Sequence, residues 1–226
     1  MTVRKRASKM TKAQKKRYRD AITQLIATGA YGQLVSHHAN MMHNMHGSMG
    51  PTGRNRFLPW HRVYLLKMEQ AMQAVEPLAF IPYWDWTTQR RIPPWLEDFM
   101  PTVNVPGQGN ISVSRNIGWP PKLPSKAEIA DVMDEETYWD FTTALEFQHN
   151  GVHVWVGGTM SLITTSPADP LFWLHHAQID RLWSIWQQSH SGKNPSLSGS
   201  DRTMDPWSET EQDVRSINGL RYSYGS

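Results

Sequence analysis

His149 and His153 stand four residues apart, a spacing that puts two imidazoles on one face of a helix where both can grip a single metal ion. Of the ten histidines, nine fall into four groups: four between Gln33 and Gly47, His61 alone, the pair His149 and His153, and the pair His175 and His176. Only His190 lies outside. The chain has no cysteine, so any metal must be held by His, Asp, Glu or Met, and neither a disulfide nor a thiol nucleophile is available. A lone His-x-x-x-His pair is more often a solvated or core pair than a ligand pair, and it is the company of the other groups that favours a metal.

The elements that must position these imidazoles can be read from periodicity. Thr11 to Gln14 has the form of a capping box, followed by a stripe of Tyr18, Ala21, Ile22, Leu25 and Ile26 up to Gly29. A second helix is expected on Tyr31, Leu34, Val35, His38, Met42 and Met45, with a stop at Gly47. It carries His38 inward, whereas His37 lies about 100° off the stripe and His43 about 140° from His38. His46, at the frayed end, can turn back toward the site, and His43 is the fallback. Gly50, Pro51 and Gly53 suggest a loop, and a helix after Pro59 has His61 in its first turn.

Phe80 to Trp86 reads as a short extended segment in which Asp85 needs a basic or hydrogen-bonding partner. Thr87 to Pro124 reads as a long surface excursion, irregular at 104–110, with one short helix at 95–100. Ser125 opens a short helix through Met133, another runs from Glu135 toward Glu146, and the His149 helix stops at Gly157 and Gly158. Asp169 and Pro170 start a last helix whose buried face is Phe172, Trp173, His176, Ile179, Trp183 and Trp186, with His175 off that face. The fold class is mainly α, with long irregular loops and little β.

Three or four helices thus each offer an inward imidazole. A set of histidines alone points to copper, because zinc usually adds a carboxylate or thiolate or uses a single three-His site, and non-haem iron wants carboxylates. Six imidazoles would make two three-coordinate ions.

Phe57-Leu58-Pro59-Trp60-His61-Arg62 with Glu69, His149-Asn150 and His153 with Val156-Gly157-Gly158, and Asp169 to His176 with Asp180 resemble the two copper signatures of the tyrosinase family. The resemblance runs from about Tyr31 to Trp186. It implies a four-helix bundle around a dicopper centre, with His38, His46 and His61 on one copper and His149, His153 and His176 on the other. The family usually places its second histidine about nine residues before the one equivalent to His61. That position is Thr52 here, so His46 must serve across a longer loop.

The activity implied is O2-dependent hydroxylation of monophenols and oxidation of o-diphenols or o-aminophenols to o-quinones, with phenols or catechols and O2 as the small-molecule partners. Glu146 and Asn150 would hold a water or take the phenol proton, Asp180 would orient a ligand or else pair with Arg62 or Arg181, and Ile163, on the 160–166 loop, would gate the entrance. The rival readings are a catechol oxidase without monophenol activity, a haemocyanin-like oxygen carrier whose shielding domain has no room in this length, and copper storage by the Met41 to Met49 run.

At 226 residues with 39% hydrophobic content, eleven Trp and twelve Met, the chain suits one soluble domain, residues 1–226. Nine of its 23 basic residues precede Asp20, leaving 14 basic against 20 acidic residues beyond. This basic arm, 1–19, lacks the aromatic interleaving of a nucleic-acid binder and is expected to be a solvated helix face. No stretch approaches the ~20 apolar residues of a membrane span and no signal peptide is evident, so a cytoplasmic location is expected. The polar stretch 190–226 is expected to pack back over the domain.

Overall fold

The computed structural model describes residues 1–225, and six α-helices dominate them. α1 (Lys12–Ala27) begins at Thr11, where the reciprocal bonds of the capping box with Gln14 are both made. α2 (Ala30–Ala39) follows Gly29, whose φ of 79° suits a residue without a side chain. The periodicity through Met45 overstates α2. The Asn40 side chain accepts the Met42 amide, and Asn44 adopts a left-handed conformation, so the chain leaves the helix and makes a short 3-10 turn instead. Met42 is consequently exposed while Met45 is buried.

α3 (Pro51–Val75) departs most from expectation, because Pro51 opens a helix where a loop is expected and Pro59 lies inside it. A proline at the first helical position costs nothing, since that amide has no partner anyway. Pro59 cannot donate to the carbonyl of Asn55, and the hydroxyl of Tyr138 donates to that oxygen instead at 3.0 Å. His61 therefore sits in the third turn of a long helix rather than the first turn of a shorter one. α4 (Lys126–Met133) starts at its capping box as expected, whereas the two helices expected between 135 and 157 are one, α5 (Tyr138–Val156). α6 (Leu171–Ser189) completes the set.

α3 packs on α1, α5 and α6 over one aromatic-rich core that includes the fully buried Trp60, Trp84, Trp86, Trp173, Trp183 and Trp186. Residues 104–110, expected to be irregular, belong to an antiparallel hairpin of β2 (Thr102–Val105) and β3 (Gly109–Ser112). Residues 94–96 form a short 3-10 turn where the short helix is expected. β1 (Thr2–Arg4) pairs in parallel with β4 (Tyr222–Tyr224), so the 190–225 stretch does return to the domain.

The basic arm is not uniformly solvated. Arg4 is fully buried, held by Glu69 and Asp180, while Arg6 pairs with Asp85 at 3.2 Å. Asp180 accepts from Arg62, Arg4, Tyr222 and Tyr224. Burial alone would raise its pKa, but Arg62 and Arg4 hold it below the ordinary carboxylate value. All these partners belong to a tie between α3, α6 and the two chain ends. Asp180 therefore does not orient His176.

Candidate metal centre

α2, α3, α5 and α6 bring two groups of imidazoles face to face beneath the surface. In the first, His38 Nε2 lies 3.4 Å from His46 Nε2 and 3.3 Å from His61 Nε2. In the second, His149 Nε2 lies 3.1 Å from His176 Nε2 and 2.9 Å from His153 Nε2, with His153 and His176 3.3 Å apart. His61 stacks on His176 across the gap at 4.5 Å between ring centroids. Three nitrogens each about 2.0 Å from one ion would lie roughly 3.3–3.5 Å apart, so each triad is spaced to share an ion.

The outer nitrogens explain why the inner ones are free. His38 Nδ1 donates to the Ile163 carbonyl at 2.9 Å, His61 Nδ1 to Phe57 at 2.7 Å, and His153 Nδ1 to Met160 at 2.7 Å. A carbonyl can only accept, so each of these rings carries its proton on Nδ1 and turns the Nε2 lone pair inward. His149 Nδ1 meets the Asn150 side-chain oxygen at 3.0 Å, and His46 Nδ1 lies 3.4 Å from Glu146 Oε1. His176 Nδ1 has no partner among the described residues; packing on Phe172, 3.9 Å away, fixes that ring.

Burial, reinforced by the neighbouring imidazoles, holds His38, His61, His149 and His176 well below the ordinary histidine pKa. Burial lowers His153 to about 4, against its bond to Met160. Neutral rings with inward lone pairs and no carboxylate in either triad fit copper.

The first group contains His46, and two glycines let it do so. A Cβ on Gly53 would lie 2.2 Å from the His46 carbonyl, and one on Gly47 would lie 2.6 Å from Glu146 Oε2. The 46–53 turn can therefore close against α3 and carry His46 to the position that the spacing from His61 left open. His43 instead stacks on Trp60, outside the triad.

His175 is fully buried beside the second triad rather than off the buried face, because 14 of the 19 residues of α6 are buried and a one-sided stripe no longer separates neighbours. The Trp86 indole donates to His175 Nδ1 at 3.1 Å. That bond forces the proton onto Nε2, leaving His175 without a free lone pair for a metal. Sequence reasoning passed over Trp86, whose only signal was an aromatic run around Asp85.

The profile of the common central domain of tyrosinase matches residues 28–118 and 104–189. The chain belongs to the tyrosinase family. A tyrosinase of Streptomyces antibioticus is 34% identical over 93% of this chain and 94% of its own length. Haemocyanin units G and H of the cuttlefish Sepia officinalis are 33% identical over 82% of this chain, which spans 37% of that protein. A functional unit of octopus haemocyanin shares the fold, with a TM-score of 0.80 at 23% identity, over all of this chain and 68% of that one.

With its two buried histidine triads, the chain is a tyrosinase-like oxidoreductase whose cofactors are two copper ions. The family acts on phenols with O2, and among the described residues no helix is long and apolar enough to cross a membrane.

A cavity of about 270 Å³ opens onto the centre, lined among others by His46, Glu146, His149, Asn150, Val154 and Ile163. Glu146 is only 6% exposed, which excludes a solvated helix position, and both its oxygens accept from the Gly47 amide, at 2.8 and 3.1 Å. The 160–166 loop does more than overhang this cavity, since its Met160 and Ile163 carbonyls orient two of the imidazoles.

Proposed function

We propose that this chain hydroxylates small monophenols and oxidises o-diphenols to o-quinones, with His38, His46 and His61 holding one copper and His149, His153 and His176 the other. Copper bound there would activate dioxygen, which is the oxidant that takes up the electrons of the phenolic ring and leaves as water. The chain's own work is to admit a flat ring, exclude water and manage one proton. A phenol enters over His149 between Val154 and Ile163, and the half-exposed Ile163 side chain sets the width of the entrance.

A buried carboxylate in the same cavity as His149 supports monophenol chemistry above all. A monophenol must lose its proton before its oxygen can act as a ligand, whereas a catechol is the better reductant and depends less on a base. Glu146 lines that cavity and holds His46 from behind, while Asn150 fixes the tautomer of His149. Glu146→Gln and Asn150→Ala, compared with wild type on a phenol and its matching catechol, should lose about tenfold or more on the phenol alone. An equal fall on both substrates together with lost copper would assign Glu146 to holding His46 only. Unchanged rates on the phenol would end its role as a base.

A further inference from the structure

Arg54, in the first turns of α3, stands beside the cavity and takes no part in the chemistry above. Its Nε is buried without a hydrogen-bond partner among the described residues, and its guanidinium lies 4.9 Å from the Trp139 ring centroid. A second hollow of about 200 Å³ is lined by Arg54, Thr143 and Phe147, and it shares Ser48, Glu146 and Asn150 with the cavity over the centre. Glu146 is the one acid in this hollow. Both its oxygens accept from the Gly47 amide, its Oε1 lies 3.4 Å from His46 Nδ1, and it makes no ion pair with Arg54 among the described residues.

From this arrangement we infer that Arg54 anchors a carboxylate on the tail of the substrate, so that phenols and catechols bearing a short acidic side chain are preferred. A guanidinium stacked on an aromatic face keeps its in-plane N–H edge free, and that edge matches a carboxylate with two parallel bonds. Phe147, 75% exposed, offers an apolar wall to the methylenes between ring and acid. The aromatic ring then occupies the first hollow while the acid occupies the second.

This inference rests on the oxidase reading, and the test separates the two. The copper-loaded protein is assayed on catechol, on 3-(3,4-dihydroxyphenyl)propionate and on the corresponding amide. Wild type should favour the acid over the amide by about tenfold in kcat/KM, carried mainly in KM, and 0.5 M salt should shrink the ratio. Arg54→Gln should bring the ratio close to one, and Thr143→Glu, which puts a like charge in the hollow, should invert it. Equal kcat/KM for acid and amide in a wild type that oxidises catechol would overturn the inference alone, as would an Arg54→Gln protein that keeps the preference. No turnover of catechol would overturn the oxidase reading with it. Should Arg54→Gln fail to fold, Thr143→Glu and the salt series decide.

Discussion

At the scale of single residues, tautomers organise the centre. A histidine can serve a metal only if its other nitrogen carries the proton, and carbonyls of Ile163, Phe57 and Met160 enforce that state on His38, His61 and His153. Trp86 enforces the opposite state on His175, and a fourth imidazole next to the second triad is thereby kept out of it. The same reasoning separates the two candidates near the end of α2. His46→Ala removes a member of the first triad and should lower bound copper from two ions per chain toward one, with activity lost. His43→Ala removes only a ring stacked on Trp60 and should keep both ions. Copper-to-protein ratios of the purified variants check this, and a copper-free His43→Ala beside a fully loaded His46→Ala would reverse the assignment.

At the scale of elements, the histidine spacings and capping signals made α1, α4, the two halves of α5 and most of α6 legible, because one-sided periodicity and caps are local properties. Five of the six triad histidines, His38, His61, His149, His153 and His176, lie inside helices and stand where motif and phase put them. Four features escaped because partners outside the apolar pattern decide them. Tyr138 repairs the helix that Pro59 would break, Asn40 and Asn44 end α2 inside an intact apolar pattern, and the hairpin at 102–112 depends on pairing between two short strands. Burial of Arg4 depends on Glu69 and Asp180, far along the chain. The 160–166 loop combines both kinds of information: its backbone orients two imidazoles while the Ile163 side chain narrows the entrance. Ile163→Gly removes the side chain and keeps the carbonyl, so copper content should hold while kcat/KM for bulky phenols rises severalfold relative to small ones. A substrate ratio unchanged by the substitution would place the gate elsewhere.

At the scale of the whole molecule, the buried centre and the buried charge cluster set how the protein responds to acid and to copper. Arg4, Arg62, Glu69 and Asp180 tie both chain ends to α3 and α6, and removing one partner from such a cluster costs about 3–5 kcal/mol, because the others are left buried and uncompensated. The triad rings work through proton linkage. In the copper-free fold the pKa values of His38, His61, His149, His153 and His176 lie below the unfolded value of about 6.5, so the unfolded chain binds more protons as pH falls. Their contribution to stability is complete above pH ~6.5 and is lost as pH drops through the folded values, which for His153 is about 4. The melting temperature of the copper-free protein should therefore fall steadily between those limits, and copper should raise it at neutral pH; a flat profile over that range would mean that the rings are not buried neutral. The central claim, that two triads of neutral imidazole hold two coppers for oxidation of phenolic rings, is tested most directly by titrating the copper-free protein with copper while following oxygen uptake on catechol. Uptake should rise to a plateau at two copper ions per chain, whereas a plateau at one ion, or no uptake at two, would contradict it.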